Sequence, residues 1–385
     1  MASLSLGHLA SDVAQGAPPA LLVFLKPKLD LSYTMVAGVI LAATLSSSIV
    51  QPLFGHWSDR RGARWLLASG VALGGVGVAL ASVAPDYTLL VLFIFVSGLG
   101  IGAFHPEGAK FAGYVSGARR ATGMALFSMG GNVGFALAPL IASSAILAWG
   151  LEGGLVLAVP PLAVAALLVA EGRYLERFVP TRGPSAERPA EPGEPGAFAL
   201  LLVVVALRSV GYYALFTFVP LWEVLEGGSP GHGTRVLTYV LAAGAAGTVA
   251  AGPLADRFGR RPVLLSSLVL SVPLILAYVL VGGALGEAAV ICAGGTIIST
   301  FGVTTVMSQE YLPGRVAMAS GLSVGLAVGL GGVAAIILGA VADAVDLRTA
   351  LLASAAGPAV GALLTLGLPR WARTRAAEFA ASASV

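Results

Sequence analysis

Twelve apolar stretches, each of roughly twenty residues, follow one another along this chain with short polar gaps between them. They cover about 5–26, 33–54, 65–84, 87–110, 121–148, 153–173, 197–222, 234–254, 262–283, 286–309, 316–341 and 348–369. A helix of that length matches the hydrocarbon core of a bilayer. Inside that core every backbone N–H and C=O must bond within the protein, so only helices and closed barrels span it. The stretches are continuous rather than alternating, which excludes a membrane β-barrel. Composition excludes the soluble alternative. Only 11% of residues are charged and 57% are hydrophobic, whereas a soluble domain carries about 25% charged residues. The fold class is therefore an all-α membrane protein with twelve transmembrane helices.

A polar segment rich in Pro, Glu and Arg, residues 174–196, cannot build a core and divides the spans six and six. The expected organisation is an N-terminal six-helix bundle over 1–173, a linker over 174–196, a C-terminal bundle over 197–369 and a tail over 370–385. Seventeen of the 22 Lys and Arg fall on the side that carries this linker, and four on the other; Arg208 lies inside span seven. The positive-inside rule then puts the linker and both termini in the cytoplasm. All five tryptophans, at 57, 65, 149, 222 and 371, fall at predicted span ends, as an interfacial belt requires. The first apolar stretch has no basic segment before it and is interrupted by Asp12, so it is expected to be a span rather than a cleaved signal peptide.

The chain also repeats itself. GHWSDRRGAR, from Gly55 to Arg64, joins spans two and three; GPLADRFGRR, from Gly252 to Arg261, joins spans eight and nine. The offset is 197 residues, about half the chain, and it relates the halves as parallel repeats. Gly, Asp and Arg at fixed places in a short turn suit a strained backbone and charge-assisted bonds to helix ends. Gly55, Asp59, Arg60, Gly62 and Arg64, with Gly252, Asp256, Arg257, Gly259 and Arg261, are expected to form a conformational latch between the halves. Twelve spans, a six-plus-six division and this twice-repeated loop resemble the major facilitator superfamily. The segments GHLASDVAQGAPPALL (7–22), LSYT (31–34), FHPEGAK (104–110), SGARRATGMALFSMGGNVGFALAP (116–139) and RSVGYYALFTFVPLW (208–222) resemble its fosmidomycin resistance protein family. The resemblance implies a central cavity between two bundles, opening to each side in turn, and proton-coupled export of small, polar, anionic antibiotics.

Ionisable residues inside a span cost about 2.5–3.5 kcal/mol on insertion scales, so the few present face a cavity or a partner. His8 and Asp12 are four apart on span one, hence on one face, with Gln15 three further on. They are candidates for proton coupling; a structural pairing with another helix is the alternative. His105 and Glu107, beside Pro106 in span four, are further proton-site candidates. Glu107 has a blander reading as the partner of Lys110 or of the basic loop at Arg60, Arg61 and Arg64. Arg208, deep in span seven, can fork to a carboxylate, phosphate or phosphonate. Tyr212, one turn on, can assist it. The alternative partner for Arg208 is Asp12. Asn132, the only asparagine in the chain, and Gln51 are weaker cavity candidates, and the glycines around Asn132 read as helix packing.

With the resemblance, which supplies the proton coupling and the outward direction, these residues imply a proton-coupled exporter of a small polar or anionic compound in the inner membrane, expected to act as a monomer. Another solute, such as a metabolite or sugar, or import instead of export, is the rival. No phosphate-binding loop, metal-ligand spacing or nucleophile cluster is present in the sequence. No enzyme activity, cofactor, metal or nucleic-acid partner is expected. The single Cys292 permits no internal disulfide.

Overall fold

The computed structural model describes residues 1–61, 64–179, 193–313 and 316–369. No strand occurs among the described residues. The first half runs α1 (Ala2–Gly16), α2 (Pro18–Lys28), α3 (Tyr33–Arg61), α4 (Trp65–Ser82), α5 (Tyr87–Ser116), α6 (Arg120–Trp149), a tighter helical stretch (Leu151–Ala158), α7 (Val159–Ala170) and the short α8 (Gly172–Glu176). The second runs α9 (Pro195–Leu225), α10 (Pro230–Phe258), α11 (Arg260–Val281), α12 (Gly283–Ser299), α13 (Phe301–Tyr311), α14 (Val316–Ala344), α15 (Leu347–Ser354) and α16 (Ala356–Thr365).

Eleven stretches among the described residues are long and apolar enough to cross a bilayer. The twelfth stretch expected from the sequence, 5–26, falls on α1 and α2, neither of which is long enough alone. Their junction, Ala17, keeps right-handed helical angles (φ −74°, ψ −32°). Pro18 and Pro19 carry no N–H, so two successive rungs of the hydrogen-bond ladder are missing there. The sequence reading takes spans one, six, ten and twelve as single helices, and the structure breaks all four. Pro160 and Pro161 follow the tight stretch in span six, and Pro358 cannot donate to Ser354 in span twelve. Span ten breaks at Thr300 (φ −93°, ψ 7°) without a proline.

The chain forms two compact units, and the boundaries cut through helices of the second half. The first holds 1–186, 213–242 and 328–351; the second holds 187–212, 243–327 and 352–385. In membranes, helices associate through close packing and interhelical hydrogen bonds rather than through exclusion of apolar surface from water. The first unit shows both. Buried Ser97 on α5 donates to the Gly74 carbonyl of α4 at 2.7 Å. Phe104, Phe111, Phe127, Leu67 and Leu168 close a core around α1.

At one end of this unit, α14 meets α3. Asp343 accepts the backbone N–H groups of Tyr33 at 2.7 Å and of Thr34 at 2.8 Å. The Tyr33 ring packs edge-on against Phe218 of α9 at 6.4 Å, and Lys26 sits 4.5 Å over its other face. Gly339 permits this contact, since a side-chain carbon there would lie 2.8 Å from the Tyr33 carbonyl oxygen. One turn beyond α14, Asp346 caps α15 by accepting the Thr349 N–H at 2.6 Å, which holds its carboxyl below the usual carboxylate range.

The second unit centres on Leu201, Val204, Leu264, Leu268, Met307 and Tyr311. Ser267 of α11 donates to the Thr296 carbonyl of α12 at 2.7 Å. The tryptophans divide. Trp57, Trp65 and Trp149 are exposed, as an interfacial belt requires, with the first two rings edge-to-face at 5.4 Å. Trp222 is buried, because the whole turn of α9 from Phe218 is enclosed within the first unit. Trp371 lies outside the described residues.

Candidate functional site

Three polar side chains of the first six spans converge in the first unit. His8 and Asp12 share a face of α1 because they are one turn apart, and His105 approaches from α5. His105 Nε2 lies 3.0 Å from Asp12 Oδ1, and His8 Nε2 lies 3.4 Å from Asp12 Oδ2. The facing atoms of all three groups lie within 4.8 Å of one another, so they act as one site. The rings stand nearly perpendicular, 5.1 Å apart, and His8 stacks on Phe127 of α6 at 4.2 Å.

The other ring nitrogens fix the proton inventory. His8 Nδ1 is 2.9 Å from the Phe127 carbonyl oxygen, and His105 Nδ1 is 2.8 Å from that of Ile101. A carbonyl oxygen only accepts, so both Nδ1 atoms donate their protons outward. Each Nε2 then presents a lone pair to a carboxylate oxygen unless a further proton lies between them. A contact of 3.0 Å is a hydrogen bond and not a repulsive approach. A hydrogen bond at the His105–Asp12 contact requires a proton beyond those on the Nδ1 atoms. The His8–Asp12 contact offers a place for a second. Net charge on the cluster runs from −1 with neither proton to +1 with both.

The neighbouring candidates are arranged differently. Glu107 is buried and pairs with Lys110 at 2.8 Å. The basic-loop alternative for Glu107 does not extend to Arg64, which forms an ion pair with Glu176 of α8. Gln15 and Gln51 are partly exposed on α1 and α3. Asn132 is exposed on α6, because the adjacent Gly131 is the residue that faces α1. Successive helical residues point about 100° apart.

In the second unit Arg208 is fully enclosed. Its Nη1 donates to Thr300 Oγ1 at 3.3 Å, and its guanidinium carbon sits 3.8 Å over the Phe301 ring. Tyr212 packs edge-on against the same ring at 5.4 Å. Arg208 and Tyr212 are thus brought together, as their spacing predicts, but on a shared aromatic ring at the break of span ten. Phe301 and Thr300 escape the sequence reading, since one phenylalanine or threonine among many apolar residues carries no signal.

The second copy of the repeated loop is described in full. Gly259 has φ 93°, a left-handed conformation that glycine adopts without strain. Asp256 and Arg257 are exposed. Gly252, with Asp256, Arg260, Thr248, Ser299 and Gly302, lines a cavity of about 270 Å³. Arg260 pairs with Glu310 at 2.6 Å. Arg261 donates through Nε to the Thr365 carbonyl at 3.0 Å and through Nη2 to that of Leu366. In the first copy Gly55 is partly exposed, while Gly62 and the side chains of Asp59 and Arg60 lie outside the described residues. Arg64 and Arg261 are equivalent under the 197-residue offset; Arg64 ties the start of the third span to α8, just after the sixth, and Arg261 ties the start of the ninth to the end of the twelfth. These arginines staple their own bundle, where the sequence reading assigns them to a latch between halves. They lie at the start of a helix, Arg64 as the residue before α4 and Arg261 in the first turn of α11, and each helix packs beside the last span of the same half.

A family model described as Major Facilitator Superfamily matches residues 4–336. The chain belongs to the major facilitator superfamily. Members of this superfamily are membrane transporters, not enzymes, and the chain is a multi-pass membrane protein. It is 31% identical over 380 residues to the uncharacterized MFS-type transporter YfnC of Bacillus subtilis, covering 94% of this chain and 91% of the relative. It is 30% identical over 388 residues to the fosmidomycin resistance protein of Escherichia coli, covering 96% and 92%. Among solved structures, the fold matches a bacterial homologue of the human lysosomal transporter Spinster, inward-facing and occupied. That match has a TM-score of 0.78 at 16% identity and covers 96% of this chain and 97% of the other. The nucleoside transporter NupG matches with a TM-score of 0.70 at 16% identity, covering 95% and 98%. At that identity the likeness concerns the major facilitator fold alone.

Proposed function

We propose that this protein is a proton-coupled transporter that exports a small polar or anionic compound, such as fosmidomycin, in exchange for protons. The observation that carries the proposal is the Asp12 carboxylate held between His8 and His105, with both Nδ1 atoms already committed to carbonyls. Such a cluster gains or loses a proton with little movement of heavy atoms, and each step changes a charge inside the membrane. A charge held there biases whichever conformation solvates it better. The 30% identity to the fosmidomycin resistance protein of Escherichia coli supports fosmidomycin as the candidate substrate, and outward transport is the direction by which a transporter would confer resistance. Arg208, with Tyr212 on its face, takes the anionic group when the second unit rearranges around Phe301 and Thr300. The protein works as a monomer in the inner membrane, with both termini and the 174–196 linker in the cytoplasm. The bundles 1–173 and 197–369 move as the two bodies of alternating access.

The test uses the full chain in proteoliposomes with a pH gradient of either sign. Labelled fosmidomycin should accumulate against its own gradient only when protons run the opposite way, and Asp12→Asn should abolish accumulation while binding persists. Accumulation by Asp12→Asn equal to the parent overturns the coupling. Coupled transport of another solute but not of fosmidomycin overturns the substrate assignment.

A further inference from the structure

On the α6 side of its seam with α1 lie Gly130, Gly131 and Gly134, and they do not do the same thing. A side-chain carbon at Gly130 would overlap the Ser5 carbonyl oxygen, and one at Gly134 would overlap that of Leu9. Backbone atoms cannot step aside, so those two glycines set the separation of the helices. A side-chain carbon at Gly131 would meet something else. It would overlap His8 Nε2 and lie 2.6 Å from Asp12 Oδ2, the two atoms of the looser contact in the cluster.

We propose that Gly131 is a positioning residue for the proton site: its missing side chain is the space in which His8 Nε2 and Asp12 Oδ2 come together. The proposal rests on the reading of this cluster as the proton site. Neighbouring features bear out the local economy of space. The His8 ring cannot retreat toward α6, since it is stacked on Phe127 at 4.2 Å and its Nδ1 is held by the Phe127 carbonyl. It cannot turn toward α5, where Phe104 lies 6.2 Å and His105 5.1 Å away, centroid to centroid. Asp12 Oδ1 is held by His105. A methyl group at 131 therefore separates His8 from Asp12 and leaves the His105–Asp12 bond. The ionisable groups facing the pair are His8 and Asp12 on α1 and His105 on α5. Glu107 and Lys110 on α5 are occupied with each other. The described side chains of α4, α6 and α7 add no acid or base at this level.

The chain has four histidines, so imidazole nitrogens can be followed one by one by ¹⁵N NMR in nanodiscs. Gly131→Ala should change the ¹⁵N shifts of His8 and their pH dependence, because the methyl group displaces the Asp12 carboxylate from the ring. His56 and His232 should not move. An unshifted His8 in a folded Gly131→Ala protein overturns the proposal. If Gly131→Ala lowers the melting temperature too far for NMR, His8→Ala supplies the second measurement. Removing the ring that the new methyl overlaps should restore the melting temperature in the double variant. The same removal should not rescue Gly130→Ala, which meets the Ser5 backbone. Failure of His8→Ala to rescue Gly131→Ala also overturns the proposal. The pH dependence of proton-driven transport, measured in the same variants, separates the two readings. A shifted His8 with an unshifted transport profile upholds the positioning role and removes the proton-coupling reading on which it was built.

Discussion

Asp343 ties the end of α14 to the start of α3. Its carboxylate accepts two backbone N–H groups at the start of α3, at 2.7 and 2.8 Å, from the far end of α14. The first N–H groups of a helix have no partner within it, and the helix dipole adds a partial positive charge at that end. Replacing a side chain that caps such groups costs typically about 1 kcal/mol, within a range of about 0.5–2. The dipole adds about 0.3–1 kcal/mol at an exposed end. Asp343 is exposed, so water takes over the released N–H groups and no penalty for burying them is added. The expected total for Asp343→Ala is thus about 1–2 kcal/mol, a factor of about 5–30 in the ratio of bolted to unbolted populations. Asp343→Asn should lose roughly the charge-dependent half of that, because the amide oxygen still accepts. The measurement is a distance distribution between spin labels at Lys28→Cys and Val345→Cys, with exposed Cys292 replaced by Ser. The long-distance population should grow in Asp343→Ala and less in Asp343→Asn. Identical distributions in all three proteins would refute the reasoning, because they would show that α14 and α3 stay together without the carboxylate.

Other substitutions test the remaining contacts. Arg261→Gln removes two charge-assisted bonds to the end of α16 and should cost about 1.5–3 kcal/mol per bond at most, less where exposed, read as a lower melting temperature with unchanged binding. Arg208→Lys keeps the charge but loses the plane that stacks on Phe301, so it should weaken a phosphonate more than a matched neutral solute; equal losses would assign Arg208 to the fold. Phe301→Leu should mimic Arg208→Lys by removing about 0.5–2 kcal/mol of cation–π attraction, detected as weaker anion binding, and an unchanged affinity would show that the ring does not hold Arg208 in place.

The sequence alone determined the fold class and eleven of its twelve expected spans, because the bilayer imposes one length and one backbone solution on every crossing segment. It also determined the repeat, since equivalent loops at a 197-residue offset retain the same Gly, Asp and Arg. The pairing of His8 with Asp12 was readable for a local reason, as one turn of helix puts them on one face. What the tertiary structure decided is non-local. His105, 93 residues beyond Asp12, joins the cluster only because α5 packs against α1. Arg208 rests on Phe301 through a break in span ten that no proline announces. Asp343 reaches Tyr33 across 310 residues of chain. Gly130, Gly131 and Gly134 of α6 look alike in sequence, and only the packed partner distinguishes the two that meet a backbone from the one that meets the His8 and Asp12 side chains. A pattern along the chain encodes which face a residue shares; which other face comes to meet it depends on how whole helices fit together.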